Sequence, residues 1–297
     1  MKPVLKWSGG KSKILPYFKV LYENVQHDRF IDLFCGSLAL PLSLVEQNCV
    51  FNDINSCLIN FYRVVKDFPE ELLENLQTLN SSEFNTVDAF KKIRAEYNLL
   101  KNEKNISVRL AVIFLYLNKR SYNGLYRENR SGHYNVPYRR YNTQIYCENE
   151  ILEMSAFFRE KNVTFYSKNF LDFKLSFFKK GDLVYLDPPY FPSEKSKFTS
   201  YWKTPFLKNE QKELFLFCKK LDKKGVKFIV SNSPCPEIRE MYKEFKQQEF
   251  YVGRQMRDAR TKRTTLNNKI HKENEILIWN FGGLKFDENS TLVKSKT

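Results

Sequence analysis

Asp187-Pro188-Pro189-Tyr190 follows directly on the apolar run Asp182-Leu183-Val184-Tyr185-Leu186. Such a run suits a buried parallel strand, and ligands of open α/β sheets bind at the carboxyl ends of strands, where Asp187 falls. Two consecutive prolines fix φ and remove two backbone donors, so the turn presents carbonyls that are free to accept. The carboxylate of Asp187 and the carbonyl of Pro188 can together accept both hydrogens of one amino group. An amino group conjugated to a ring needs this help, because its lone pair is otherwise delocalised and the nitrogen is a poor nucleophile. Tyr190 adds a ring on which a planar acceptor can stack. Taken alone, the tetrapeptide points to methyl transfer onto an amino group of a planar acceptor, and equally to a proline-rich turn that merely ends a strand.

The elements that must position these residues alternate at both ends of the chain. Arg29 to Phe34 reads as a buried strand, with Ser37 as a helix cap and Leu38 to Val45 as the following helix. Val50 to Asp53 reads as the next strand, and Asn55 caps a helix carrying Leu58, Ile59, Tyr62 and Val65. This order predicts a parallel sheet with a right-handed crossover. From Pro69 to Lys119 a helical period dominates; within it, Leu110 to Leu117 fits a strand or a buried helix on periodicity alone. A polar, basic loop runs from Ser121 to Asn142. Alternation then resumes, with strands at Asn162 to Tyr166, Asp182 to Leu186 and Val226 to Ser231, and helices at Asn209 to Leu221 and Pro236 to Phe245. Phe250 to Gly253 and Glu275 to Asn280 pair as a closing hairpin.

Charge narrows the acceptor. The 297 residues carry 49 Lys and Arg against 34 Asp and Glu, a net +15, which suits a polyanionic partner. The excess is concentrated. Lys119 to Tyr141 holds six basic residues and one acid, Glu128, interleaved with Tyr122, Tyr126, Tyr134, Tyr138 and Tyr141. Arg254 to Lys272 holds seven basic residues and one Asp. Two basic loops, one of them aromatic, have the character of a nucleic-acid surface. The six cysteines and three histidines show no metal-ligand spacing, so no metal is expected. No stretch approaches the ~20 apolar residues of a membrane span, and the first residues lack a secretory signal's apolar segment. An intracellular location is expected, in a DNA-containing compartment.

With these motifs in view, the chain resembles the Dam-type (GATC) DNA N6-adenine methyltransferases, the alpha-group amino-methyltransferases with D-P-P-Y. The blocks that carry the resemblance are Leu5-Lys6-Trp7-Ser8-Gly9-Gly10-Lys11, Phe30 to Gly36, Asn52-Asp53-Ile54-Asn55, Tyr122 to Arg127, Tyr134 to Tyr138 and the D-P-P-Y itself, in order from Leu5 to Phe250. The resemblance implies a class I S-adenosylmethionine-dependent methyltransferase: a Rossmann-like α/β fold with a mostly parallel sheet, a closing antiparallel hairpin and a mostly helical DNA-recognition insertion. The expected division is residues 1–60 and 145–281 for the catalytic domain, 61–144 for the insertion and 282–297 for a flexible tail.

The same resemblance assigns roles. Asp187, Pro188, Pro189 and Tyr190 would be catalytic. Trp7, Lys11, Asp32, Phe34, Gly36, Asp53, Phe170 and Asp187 would hold S-adenosyl-L-methionine, released as S-adenosyl-L-homocysteine: Lys11 near its carboxylate, Trp7 against its apolar parts, Asp53 at the ribose hydroxyls and Phe170 beside its adenine. Lys6 and Arg127 would read guanines, Leu125 and Pro137 a thymine methyl, and Asn123 base edges or backbone. Tyr122 would wedge into the space left by a flipped base. Arg139 stands where the family usually has glycine. The Arg254 to Lys272 loop would contact phosphates only. Implied partners are double-stranded DNA and, in a restriction–modification setting, a companion endonuclease on the same site; no membrane is implied.

Two other motifs fail on spacing. Gly10-Lys11-Ser12 lacks the glycine five residues earlier that a phosphate-binding loop requires, since Leu5 stands there. Cys35-Gly36-Ser37 lacks G-x-G-x-x-G, and Ser37 also replaces a second small glycine usual in methyltransferases. The competing readings are a methyltransferase acting on adenine in another DNA site or in RNA, one acting on a protein amide, and a non-catalytic DNA-binding relative.

Overall fold

The computed structural model describes residues 1–11, 14–44, 47–102, 105–191, 206–254, 271–282, 284–286 and 292–294. The second basic loop, apart from its strand ends, and the interior of the 191–206 connection lie outside the described residues. In chain order the helices are α1 (Leu15–Glu23), α2 (Pro41–Leu44), α3 (Ser56–Asp67), α4 (Pro69–Leu79), α5 (Val87–Leu100), α6 (Val108–Arg120), α7 (Glu148–Glu160), α8 (Lys208–Lys223) and α9 (Pro236–Met241). The strands are β1 (Arg29–Asp32), β2 (Cys49–Asn52), β3 (Thr164–Tyr166), β4 (Asp182–Leu186), β5 (Lys227–Asn232), β6 (Lys246–Arg254), β7 (His271–Trp279), β8 (Leu284–Phe286) and β9 (Leu292–Lys294).

Seven strands form one sheet in the order β3-β2-β1-β4-β5-β7-β6. The first five are parallel. β7 inserts antiparallel beside β5 and pairs along its length with β6, the closing hairpin expected from the sequence. Chain order reverses at β1, between β2 and β4, and β1 and β4 carry Asp32 and Asp187 at or just beyond their carboxyl ends. This is the switch-point crevice in which an open sheet receives its ligand.

Both faces of the sheet are covered. One hydrophobic cluster joins Leu183 and Tyr185 to α1, α3, α4, α5, α6 and α7. The other joins Val184, Leu186 and Val230 to α8, α9 and the phenylalanines Phe170, Phe173 and Phe178. Leu110 to Leu117 is a helix, buried all round within the first cluster, so its continuous apolar character reflects packing on several sides rather than a strand in a sheet. α3 is capped by Asn55, whose side chain accepts from the backbone of Cys57 and Leu58.

Of the helix read over Leu38 to Val45, the described part begins only at Pro41 and runs to Leu44, and Val45 lies outside the described residues. Leu38 adopts a positive φ of 61°, which turns the chain before a helix can begin, and Pro41 is suited to a first helical turn. β8 and β9 pair as a two-stranded antiparallel sheet within the segment expected to be a tail. Among the described residues, no helix is long and apolar enough to cross a membrane.

Candidate active site

Asp187 leaves the end of β4 half-buried, its side chain 17% exposed, and meets Lys11, whose ammonium lies 3.0 Å from Oδ1. Lys11 is itself 5% exposed. Its Nζ also donates to the Gly9 carbonyl at 3.0 Å and sits 4.5 Å from the centre of the Tyr190 ring. On the other side, Ser231 Oγ donates to Asp187 Oδ1 at 2.7 Å, and Tyr185 Oη lies 2.9 Å from Ser231 Oγ. Burial pushes the Asp187 carboxyl above the ordinary range; Lys11 and the Ser231 hydrogen bond pull it back.

The prolyl turn is fastened from behind. Gln211 of α8 donates to the Pro189 carbonyl at 3.0 Å and accepts from Asn232 at 3.0 Å; Asn232 in turn accepts from Phe191 N at 3.1 Å. Among the described residues, none donates to the Pro188 carbonyl. Tyr190 donates its hydroxyl to Glu275 of β7 at 2.9 Å. The turn therefore offers one carboxylate and one carbonyl that no described residue claims, with a ring held by its hydroxyl beside them.

Two further acids line the crevice. Asp32 is 2% exposed and accepts from Phe34 N at 3.1 Å. Burial holds it well above the ordinary carboxylate range, with Asp187 and Asp53 adding to the rise while Phe34 N–H and Lys11 oppose it. Asp53, just beyond β2, accepts from Gly36 N at 3.1 Å and Asn55 N at 2.9 Å. Burial pushes it up to about 6 against those two bonds. Among the described residues, Lys11 is the cation whose field reaches Asp32. Asp187 and Asp32 share the field of one ammonium, and burial disfavours the charged form of both and of Asp53, so a cationic ligand would suit the crevice. Among the described residues, no group of three or more His, Cys, Asp or Glu is arranged to hold a metal ion.

Gly36 makes the turn after β1 at φ +45°, and a Cβ built there would meet the Trp7 indole at 3.0 Å. A side chain there would be strained in its backbone and tight against the indole, so glycine suits the position on both counts. The Gly36 carbonyl accepts from Tyr62 Oη at 2.7 Å. Phe34 and Phe170 lie 5.4 Å apart, and Phe206 approaches both at 6.0 and 6.1 Å. Trp7 reaches across to stack on Tyr126 of the basic loop at 5.8 Å.

The basic loop is an ordered hairpin, bridged at Ser121–Tyr138 and Glu128–Tyr134. Lys101, just past α5, forms a buried ion pair with Glu128, whose carboxylate also accepts from Tyr126 Oη at 2.7 Å. On its surface Lys6, Tyr122, Asn123, Arg127, Pro137 and Arg139 are exposed, and Leu125 is half-buried. Arg127 Nε donates to Asn135 at 2.8 Å. Arg139 lies against the rings of Tyr122 and Tyr141, at 5.2 and 5.6 Å, and Lys6 Nζ lies 4.3 Å from the Tyr141 ring.

The residues singled out from the sequence thus fall into two groups, one at the crevice and one on the hairpin face, joined through Trp7. Sequence reasoning did not single out Ser231, Gln211, Asn232, Glu275 or Phe206. The available signal was Ser231-Asn232, two polar residues ending the apolar strand beside β4.

Residues 7–258 match the family model described as D12 class N6 adenine-specific DNA methyltransferase. The chain is 36% identical over 246 residues to the Type II methyltransferase M1.LlaDCHI of Lactococcus lactis subsp. cremoris, covering 82% of this chain and 86% of that one. It is 37% identical over 252 residues to the Type II methyltransferase M.MjaIII of Methanocaldococcus jannaschii, covering 78% and 84%. A DNA adenine methylase of Serratia marcescens is 33% identical over 240 residues, covering 80% and 86%.

Proposed function

Since the chain belongs to the D12 class N6 adenine-specific DNA methyltransferases, we propose that it transfers a methyl group from S-adenosyl-L-methionine to the amino nitrogen of an adenine flipped out of duplex DNA, in the site GATC. The observation that carries this reading is the pair of acceptors on one turn, the Asp187 carboxylate and the Pro188 carbonyl, to which no described residue donates.

The crevice fits the cofactor. Its carboxylate excess suits a ligand bearing a sulfonium and an ammonium, and the Gly36 turn gives the close backbone approach such a ligand needs. Asp53 accepts from the ribose hydroxyls, Lys11 neutralises the carboxylate, Trp7 covers the apolar parts, Phe34 and Phe170 flank the adenine, and Asp32 orders the Phe34 turn through its backbone bond. S-adenosylmethionine supplies a methyl group already activated by positive charge, so no covalent enzyme intermediate is required.

Asp187 and the Pro188 carbonyl accept the two N6 hydrogens, which favours a tetrahedral nitrogen with an available lone pair. Asp187 accepts the proton that the nitrogen sheds as it gains the methyl group. Tyr190, anchored on Glu275, stacks on the extrahelical base. On the hairpin face, Lys6 reads the first guanine and Arg127 the other, Arg127 being steadied by Asn135. Leu125 and Pro137 pack on a thymine methyl, Asn123 contacts base edges or backbone, Tyr122 fills the vacated space, and Arg139 contacts DNA beside it. The Type II names among the relatives support a restriction–modification setting, with a companion endonuclease on the same site. Single-molecule mapping of methylated adenines, in DNA from a methylation-free host expressing the chain, tests the reading. Methylation confined to GATC is expected; methylation centred on another motif overturns the site, and none overturns the activity.

A further inference from the structure

We propose that Asn118 is a specificity-positioning residue: it sets the distance between the arm that carries Lys6 and the hairpin that carries Arg127. Asn118 lies near the end of α6, 5% exposed. Its amide is committed to backbone. Oδ1 accepts from Lys6 N at 2.9 Å, and Nδ2 donates to the Lys6 carbonyl at 2.7 Å and to the Gly124 carbonyl at 3.2 Å. The side chain thus pairs with both peptide groups of Lys6, as a neighbouring strand would, and grips the hairpin with the same nitrogen.

The two segments so joined are in close contact. Gly124 adopts φ +63°, and a Cβ built on it would lie 2.4 Å from Lys6 Cβ. Lys6 and Asn123-Gly124-Leu125 are 112 and 5 to 7 residues from Asn118, so nothing in the local chain fixes their spacing. Neighbouring Lys119 adds a bond to the Val4 carbonyl, which docks the same arm on the same helix end. A base edge is read by donors and acceptors at fixed separations, and two readers contributed by different segments discriminate only while their spacing is held. A shift of about 1 Å suffices to cost two orders of magnitude where geometry decides the rate.

This inference rests on the proposed readout by Lys6 and the hairpin. Asn118→Ala removes the pin, while Gly124→Ala keeps the Asn118 amide and drives the segments apart from the other side, so the second variant carries the test if the first does not fold. The assay is kcat/KM on duplexes carrying the mapped wild-type site and on duplexes changed one base pair at a time, beside calorimetric S-adenosylmethionine binding. Both variants are expected to lose at least about tenfold in discrimination at the pairs read by Lys6 and Arg127, with cofactor Kd within about threefold of wild type. In a Lys6→Ala background, Asn118→Ala is expected to add nothing at the first pair. Unchanged discrimination in both variants overturns the inference, as does a uniform fall on every duplex. A wild type that prefers a site other than GATC overturns only the assigned site, since discrimination is then measured on the site found.

Discussion

Ser231→Ala tests the catalytic geometry most directly. The hydroxyl donates to Asp187 Oδ1 at 2.7 Å and is met by Tyr185 Oη at 2.9 Å, with Ser231 and Tyr185 0% and 2% exposed. A hydrogen bond to a charged group contributes about 1.5–3 kcal/mol. The bond fixes how the carboxylate faces the amino group, and losing that orientation lowers kcat/KM by about tenfold to a hundredfold, at about 1.36 kcal/mol per decade. The sign of the pH effect follows from the same bond. Ser231 favours the ionised carboxylate, so removing it raises the folded Asp187 further above its ordinary value. Activity needs the carboxylate, which is then lost at a higher pH as pH falls, so the acid limb of the rate profile moves upward. Single-turnover methylation measured from pH 5 to 9 reads both effects, and Ser231→Thr, which restores the hydroxyl, is expected to recover much of the rate. An Ala variant with undiminished turnover and an unmoved acid limb would refute the reasoning. The orphaned Tyr185 hydroxyl adds about 1–3 kcal/mol of lost stability, visible as a lower Tm.

Asp187→Ala is expected to abolish methyl transfer while DNA binding survives, checked by transfer of labelled methyl groups beside an electrophoretic shift; undiminished turnover would sink the mechanism. Asp53 is pushed up to about 6, so an acceptor role for its carboxylate makes cofactor affinity rise as pH increases through about 6, and Asp53→Asn should weaken binding and flatten that rise in calorimetry. Arg127→Ala should cost about 1–3 kcal/mol of discrimination at one guanine, roughly a tenfold to hundredfold fall in the kcat/KM ratio between duplexes, with little change at the other positions.

The parts legible in the sequence were those written in contiguous residues. Asp182 to Tyr190 carries its strand, its turn and its acceptors in one run, and the alternation around Arg29 to Asp53 was enough for the parallel strand–helix–strand order, while Asp32 and Asp53 were singled out through the family resemblance. The bracing was not legible, because its partners lie far apart: Gln211 acts 22 residues from Pro189, Ser231 44 from Asp187, and Glu275 85 from Tyr190. Their meeting depends on β5 lying beside β4 and on the antiparallel register of β7, which period-2 patterning does not specify across the sheet. Leu110 to Leu117 was ambiguous for another reason, since burial on all sides erases the periodicity that would distinguish helix from strand.

Trp7 has one edge on the Gly36 turn and its face on Tyr126, so the unit that could be exchanged between relatives is larger than the hairpin. A chimera importing residues 121–141 alone would set a foreign ring against this indole and a foreign loop against the 4–7 segment. Transplanting the two segments together keeps that seam native to the donor protein. Engineering a new target site on this scaffold is therefore a problem of moving a two-part insert, with the N-terminal arm as its second part.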